Sequence, residues 1–261
     1  MNDYKFDATK ESENVIKWIK YWFENQSGDA DGIVLGISGG ADSSVVAKLC
    51  CEALGTGKMR GALMPNGRQP DIADSYKICG ILGIKYNEIN IADAFEGVSR
   101  AISDSGENLG PQAIINLTPR LRMAAVYALG QSLNYRVAGA GNLSEAYVGY
   151  CTKWGVDMAY DFNPIANFTK TEVIAIGDCL GLPYEIVHKT PADGLSGLSD
   201  EENMKITYEV LDDYIRSHSH GQKDAEMTEM TEMTEMIERI VKMHKNAAHK
   251  HNPVPCYRFS P

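Results

Sequence analysis

The sequence predicts an α/β fold of the Rossmann-like type, an open, doubly wound parallel sheet with helices on both faces. One observation is that short apolar runs of strand length alternate with segments whose apolar residues recur at helical spacing. The other is the stretch GIVLGISGGADSSVVAKL at residues 32–49, where an apolar run ends in small polar residues and an amphipathic helix begins at once. Ligands of such sheets bind beyond the carboxyl ends of the strands, so the loops after the strands form the candidate site.

Apolar periodicity places the individual elements along the chain. Strands are predicted at residues 32–37, 59–65, 85–91 and 135–140. Helices are predicted at residues 12–25, 45–54, 71–82, 92–103 and 143–154. A longer helix through residues 120–133 is expected to begin with Thr118 as its N-cap and Pro119 at its first helical position.

Two helices in the second half of the chain carry the capping-box pattern of a hydroxyl residue followed three positions later by glutamate. Thr169 and Glu172 form the first pattern, and that helix is expected to stop at Gly181. Ser199 and Glu202 form the second.

The composition limits the class of protein. The 261 residues are 44% hydrophobic and 23% charged, with a formal net charge of −10. This balance argues against binding nucleic acid or an anionic membrane through bulk charge, and we expect neither as a partner. The apolar runs are too short to predict a membrane span. Because the six cysteines lack CxxC pairing, we expect reduced thiols and a cytoplasmic location. The length of the chain is that of one large domain, so we expect a single domain over residues 1–261.

The repeat EMTEMTEMTEM at residues 226–236 has a period of three residues. On a helix this period makes the methionines spiral around the axis instead of forming one stripe. We interpret the segment as a solvated helix after a mobile loop, with a methionine-rich partner surface as the alternative.

The loop SGGADSS at residues 38–44 has the features of a phosphate site. Glycines at a strand–helix turn let backbone amides and a helix N-terminus approach an anion closely. The carboxylate of Asp42 would repel phosphates unless it held a divalent cation that bridges to them. The loop lacks the lysine ending of a Walker A motif and the G-x-G-x-x-G pattern, so neither a P-loop kinase nor a dinucleotide-binding fingerprint is predicted.

This loop resembles the SGGxDS pyrophosphate-binding loop of the ATP pyrophosphatase superfamily, whose members adenylate a substrate and release pyrophosphate. Further motifs resemble the ammonia-dependent NAD synthetases within that superfamily. They are NLTPRLRM at 116–123, VAGAGNLSEAYVGYCTKWG at 137–155, DFNPIANFTKTEV at 161–173, KTPADGLSGLSDEE at 189–202 and HK at 249–250. Their order along nearly the whole chain makes the resemblance more specific than any one motif.

The resemblance implies an ATP site and a magnesium site. The loop would bind the ATP phosphates through Gly36, Ile37, Ser38, Gly39, Gly40, Ala41, Asp42 and Ser43. Further ATP contacts are implied for Ala140, Lys170 and Ala192. Asp42 and Glu145 match the family's Mg²⁺ ligands.

The resemblance also implies a site for the second substrate, deamido-NAD. Its contacts would come from Arg120, Tyr127, Lys153, Asp161, His249 and Lys250. The nicotinate carboxylate would attack ATP to form an acyl-adenylate, and ammonia would then displace AMP to give NAD. Lys153 and Lys170, with the metal on Asp42, would offset charge on phosphate. Asp157 or Asp161 would take a proton from ammonium.

The chain departs from the family pattern at several positions. Ala140 stands where many relatives have threonine, and Ala192 replaces a hydroxyl residue. The loop TKWGVDMAYD at 152–161 is one residue longer than its counterpart and lacks paired glycines, and HKHNPVP at 249–255 replaces a shorter basic ending.

Free ammonia is the expected nitrogen donor because the chain has no room for a glutaminase domain, and the family implies a homodimer. Two alternatives stay open. The chain could be another ATP pyrophosphatase, such as a GMP-synthetase-like enzyme, or a degenerate nucleotide-binding sensor without catalysis.

Overall fold

The computed structural model describes residues 5–192, 197–219 and 232–257. Its centre is a sheet of four parallel strands in the order β3-β2-β1-β4. The strands are β1 (Gly32–Gly36), β2 (Met59–Leu63), β3 (Lys85–Glu88) and β4 (Tyr135–Ala138). Because every described strand is parallel to its neighbours, their carboxyl ends meet at one edge, where the following loops converge.

Eleven α-helices are described around this sheet. The first six are α1 (Ala8–Gln26), α2 (Ala41–Leu54), α3 (Ile72–Leu82), α4 (Ala92–Asp104), α5 (Pro111–Leu133) and α6 (Leu143–Val148). The remaining five are α7 (Lys170–Cys179), α8 (Tyr184–Val187), α9 (Asp200–Met204), α10 (Tyr208–Ser219) and α11 (Glu232–His251). A short 3₁₀ helix, Thr56–Lys58, precedes β2. Within these described residues, no helix is both long and apolar enough to cross a bilayer.

The two faces of the sheet are covered by different helices, which confirms the predicted doubly wound class. Ile33 and Leu35 of β1 belong to the larger apolar cluster, to which α1, α2 and α7 contribute. Val34, between them, belongs to a second cluster that includes Val126 of α5. Since alternate residues of a strand point to opposite faces, a run that is apolar throughout is what a sheet covered on both sides requires.

A third apolar cluster lies in the part of the chain after β4. It joins α6, α10 and α11 through side chains such as Val148, Leu211 and Ile240. Helix α10 also contacts α7. This helical group therefore adjoins the loops at the carboxyl end of β4.

The predicted start of α5 is wrong. The helix begins at Pro111, with Gly110 as its extended N-cap, so Pro119 lies inside it. The Thr118 hydroxyl does not cap a helix but accepts a hydrogen bond from Asn66 Nδ2 at 3.1 Å. The reason is that this segment contains two prolines that could each occupy the first position of a helix, Pro111 and Pro119. Gly110 adopts the extended conformation of an N-cap, so the helix begins at Pro111.

The helix predicted at 143–154 is also shorter than expected. It ends at Val148 because Gly149 adopts a left-handed conformation with φ of 70° and caps it. Residues 149–161 then form an irregular loop that includes Trp154, itself at φ of 64°. Both predicted capping boxes, at Thr169 and at Ser199, are confirmed.

The EMT repeat falls only partly within the described residues. Residues 220–231 lie outside them, so the predicted mobile loop and most of the repeat stay predictions. Helix α11 begins at Glu232, with Met233 exposed and Thr234 buried. The end of the repeat is therefore helical, and one of its threonines faces inward.

Candidate active site

The turn between β1 and α2 is held by its own hydroxyl groups. The backbone N–H of Ser38 donates to Ser43 Oγ at 3.2 Å, and the two serine hydroxyls lie 2.9 Å apart. The N–H of Gly40 donates to Ser38 Oγ at 3.3 Å. The loop therefore curls around the N-terminus of α2, which begins at Ala41. A glycine-containing turn that leads into a helix N-terminus without a side-chain cap is a typical site for an anion.

Gly39 is required by the shape of this turn. Its φ is +80°, a conformation that residues with a Cβ rarely adopt. A Cβ at this position would lie 2.7 Å from Asp74 Cβ and 2.7 Å from Ser75 N, at the start of α3. The turn of residues 38–43 and the start of α3 therefore lie too close together for any residue with a side chain to replace Gly39.

A buried ammonium joins the carboxylates of two separate loops at the same edge. Lys170, which is 3% exposed, forms an ion pair with Asp42 of α2. Its Nζ also lies 3.4 Å from Glu145 Oε1 of α6. Burial by itself would lower the pKa of Lys170, but the neighbouring carboxylates Asp42 and Glu145 outweigh this and raise it. The two carboxylates therefore stabilise the positive charge of Lys170 beside the turn of residues 38–43.

Glu145 is in a different electrostatic position from an ordinary glutamate. Burial, opposed by Lys170 and reinforced by Asp42 and Asp200, raises its pKa to about 7. The hydroxyl of Tyr208 contacts Glu145 Oε1 at 3.2 Å and Asp200 Oδ2 at 3.1 Å. Two carboxylates therefore contact Lys170 and a third, Asp200, acts on it electrostatically, and this acidic surrounding favours recruitment of a further cation.

The residues present fit a Mg²⁺ ion, although no group of three or more metal-ligating side chains occurs in the part of the chain that the structure describes. Asp42 and Glu145 both direct an oxygen at one cation, the Lys170 ammonium. Mg²⁺ in nucleotide enzymes is commonly held by one or two carboxylates together with substrate phosphates and water. Two converging carboxylates beside an anion loop match that donor set.

Asn142 connects the two acids. Its Nδ2 donates to Asp42 Oδ1 at 3.1 Å, and its Oδ1 accepts from the backbone N–H of Glu145 at 3.0 Å as the N-cap of α6. The pattern Asn-x-x-Glu after a strand indicates this N-cap, but the sequence analysis selected only Glu145 here, through the resemblance, and not Asn142.

A second basic group lies where α5, the loop after α6 and α11 meet. Arg120 Nε donates to the carbonyl of Lys153 at 3.3 Å, and Lys153 Nζ donates to the carbonyl of His249 at 2.6 Å. Lys250 Nζ donates to the carbonyls of Gly149 and Cys151. The structure thus brings together four of the six residues predicted to bind deamido-NAD.

The other two, Tyr127 and Asp161, pair with each other at the side of β4. Tyr127 OH donates to Asp161 Oδ1 at 3.2 Å, and the N–H of Val137 donates to Asp161 Oδ2 at 2.7 Å. Burial and Asp161 raise the pKa of Tyr127 to about 12. Both oxygens of Asp161 accept hydrogen bonds, so its carboxylate is fixed between α5 and β4.

Asp157 lies in the irregular loop between these two groups. Its backbone carbonyl would be 2.7 Å from a Cβ at Gly141, so the loop packs directly on the turn after β4. The cation that acts on its carboxylate electrostatically is Arg122 of α5, whose Nε donates to the Met64 carbonyl at 3.0 Å. Burial lowers the pKa of Arg122, and Asp157 opposes this. Sequence reasoning did not select Arg122, which the same NLTPRLRM motif contains.

Ala140 and Ala192 complete the predicted ATP contacts. Ala140 follows β4 and packs against the main core. Ala192 is exposed and is the last described residue before residue 197. Residues 193–196 of the motif KTPADGLSGLSDEE therefore lie outside the described residues.

Comparison with known proteins agrees with this geometry. The family model described as NAD synthase matches residues 12–254. The chain belongs to the NAD synthase family. It is 38% identical over 210 residues to the NH(3)-dependent NAD(+) synthetase of Thermococcus sibiricus, covering 80% of each chain. This membership confirms the predicted resemblance and excludes a GMP-synthetase-like enzyme.

Two solved structures of the NAD synthase fold are similar along nearly the whole chain. One is an NMN synthetase from Francisella tularensis, with a TM-score of 0.83, 30% identity and coverage of 98% of this chain and 100% of that one. The other is an NH3-dependent NAD synthetase from Campylobacter jejuni, with a TM-score of 0.79, 25% identity and coverage of 97% and 100%.

Tyr208 and Asp200 are site neighbours that sequence reasoning missed in this member of the NAD synthase family. Both lie more than 50 positions after Glu145 and were read only as parts of helices. A tyrosine and an aspartate near helix starts are common in any sequence, so no local signal could have selected them.

Proposed function

We propose that this chain amidates deamido-NAD with free ammonia and ATP, giving NAD, AMP and pyrophosphate. The observation that carries the proposal is the cluster of Lys170, Asp42 and Glu145 beside the anion-binding turn of residues 38–43. A cation placed there meets the charge that develops when a phosphoanhydride bond breaks. Family membership selects this reaction among those that such a cluster could serve.

The chemistry requires activation because a carboxylate is a poor acyl donor. An oxygen of the nicotinate carboxylate attacks the α-phosphorus of ATP, and the bond to pyrophosphate breaks. Ammonia then attacks the carbonyl carbon of the acyl-adenylate, the bond to AMP breaks, and the nitrogen loses a proton. Neither step needs a covalent bond to the protein.

The residues of the turn would act on ATP. The turn of residues 38–43 and the N-terminus of α2 would bind the departing phosphates, and Lys170 would neutralise part of their charge. Mg²⁺ held by Asp42 and Glu145 would supply further neutralisation when bound. Asp157 is our choice of proton acceptor from ammonium, because burial raises the pKa of its carboxyl group above the usual aspartate value.

The basic group of Arg120, Lys153, His249 and Lys250 would bind the anionic acceptor nucleotide. The carbonyls that now accept hydrogen bonds from Arg120, Lys153 and Lys250 belong to the loop after α6 and to the end of α11. A phosphate could replace these bonds with stronger charge-assisted ones.

A second acceptor is a specific candidate. The similarity to the NMN synthetase of F. tularensis extends over 98% of this chain. Nicotinate mononucleotide carries the same reacting carboxylate without the adenylyl half, so the same chemistry would give NMN. Offering both acceptors in competition, and comparing kcat/KM, assigns the substrate.

We propose further that two copies form a homodimer through α4 and α5. Every residue of α4 is described and none is buried, although Phe95, Val98 and Ile102 fall on one side of the helix at helical spacing. Ile114 of the adjoining α5 is 44% exposed. A second copy would cover this apolar face.

The remaining parts of the proposal concern organisation and location. The family match over residues 12–254 supports one synthetase unit, and the relative's ammonia-dependent activity supports free ammonia as donor. All six cysteines are free thiols, which supports a reducing, cytoplasmic location.

The test is to measure AMP, pyrophosphate and NAD with ATP, ammonium and Mg²⁺, with and without deamido-NAD. We expect the three products together, and their loss in Asp42→Asn but not in the matched control Asp29→Asn, whose side chain is 94% exposed. Tight ATP binding without turnover of either acceptor would contradict the proposal and favour a nucleotide sensor.

A further inference from the structure

A buried carboxylate outside the site, Asp212 of α10, connects the two helices that carry Glu145 and Lys170. Asp212 is 4% exposed. Its Oδ1 accepts from the hydroxyl of Ser144, the residue directly before Glu145. Its Oδ2 accepts from the N–H and the hydroxyl of Thr171, directly after Lys170, at 2.9 and 2.8 Å.

Ser144 extends this network to Lys170 itself. A hydroxyl has one proton to donate, and Ser144 gives it to Asp212. The oxygen of Ser144 then accepts the backbone N–H of Lys170 at 2.9 Å. The direction of the hydroxyl, and therefore its ability to hold Lys170, is set by the carboxylate of Asp212.

The network satisfies the start of α7. The first amides of a helix have no partner within the helix. Here the amide of Lys170 binds Ser144, and that of Thr171 binds Asp212. The next is taken by the capping box of Thr169. The negative charge of Asp212 at a helix N-terminus adds a favourable interaction with the helix dipole.

We propose that Asp212 is a positioning residue that fixes Lys170 and Glu145 relative to each other. It touches neither side chain but holds the backbone on which each is mounted. This inference rests on the proposed function, in which Lys170 acts on the ATP phosphates. Displacement of a reacting group by about 1 Å can cost about 100-fold in rate. Loss of the hydrogen bonds of Asp212 should therefore reduce the rate of catalysis more than the affinity for ATP.

The experiment compares Asp212→Asn with Asp213→Asn, in the wild-type chain and in a Lys170→Met background. Asp213 is the exposed neighbour on the same helix, and its variant removes the same charge. We expect Asp212→Asn to lower kcat for pyrophosphate formation about 10- to 100-fold, with KM for ATP changed less than about 3-fold. Asp213→Asn should stay within about 2-fold of wild type.

The Lys170→Met background separates positioning from general support of the fold. If Asp212 acts through Lys170, adding Asp212→Asn there should change kcat less than about 3-fold. An equal loss in both backgrounds, or no loss in the wild-type chain, would overturn the inference. Should Asp212→Asn fail to fold, Ser144→Ala removes the link to the Lys170 amide and is subject to the same criteria.

Failure of the proposed function has a different signature. In that case the wild-type chain itself would form no AMP or pyrophosphate with either acceptor. An active wild type that is insensitive to Asp212→Asn would overturn only the positioning role.

Discussion

The ammonium of Lys170 forms a buried ion pair with the carboxylate of Asp42, although 128 positions separate the two residues in sequence. Lys170 opens α7 and Asp42 lies in the first turn of α2. The pair therefore ties the loop after β1 to a helix from the second half of the chain. It places a cation where we propose that ATP phosphates bind.

Removing that cation should destabilise the fold. Lys170→Met leaves Asp42 and Glu145 facing each other at a site from which most water is excluded. We expect the free energy of unfolding to fall by about 2–4 kcal/mol near pH 8. The matched control is Lys48→Met, which breaks the surface pair with Glu52 and should cost less than about 0.5 kcal/mol. Urea unfolding in metal-free buffer measures both, and equal losses would contradict a buried pair.

Glu145 should make the stability depend on pH. Its pKa rises from 4.5 to about 7 on folding, so between these values the folded state binds more protons than the unfolded state. Stability must then fall as pH rises through this window, by an amount on the order of 1–3 kcal/mol. The comparison is between wild type and Glu145→Gln without metal. The variant should lose this part of the slope, and parallel curves would refute the raised pKa.

Gly39→Ala should distort the turn of residues 38–43. The positive φ and the 2.7 Å approach to Asp74 and Ser75 leave no space for a methyl group. We expect a loss of about 1–3 kcal/mol in stability and weaker ATP binding by calorimetry. Gly57→Ala is the matched control, since among the described atoms none lies within 4 Å of its added Cβ. Unchanged ATP affinity in Gly39→Ala would argue against a role of this loop in binding.

The α4–α5 face should control association. Val98→Asp and Ile114→Asp place a charge on the apolar face and should convert dimer to monomer in sedimentation experiments. Val241→Asp, on the similarly exposed Val241 of α11, should leave the association state unchanged. A monomeric wild-type chain at all concentrations would contradict the proposed dimer.

The parts of the structure that sequence reasoning predicted are those with a local physical cause. The capping boxes at Thr169 and Ser199 depend on residues three positions apart, and both formed. The strand at Gly32–Gly36 was readable because burial on both faces demands apolar residues throughout. The start of α5 was misjudged because two proline signals competed, and the extended glycine at 110 decided between them.

The residues of the candidate site likewise divide into those that the sequence could predict and those that it could not. The turn of residues 38–43 lies within one short segment, so its glycines, serines and aspartate could be recognised together. The surroundings of Glu145 could not be recognised, because Tyr208 contacts it from a helix far along the chain, and Asp200 joins through Tyr208.

The sequence by itself determined the class of fold, the helix and strand signals, the phosphate-type turn and membership of a family. Only the tertiary structure decided that Lys170 bridges Asp42 and Glu145, and that Asp212 holds the helices carrying two of these residues. The physical reason is that capping and periodicity act over a few residues. Meetings between distant side chains instead depend on how the sheet and its covering helices pack.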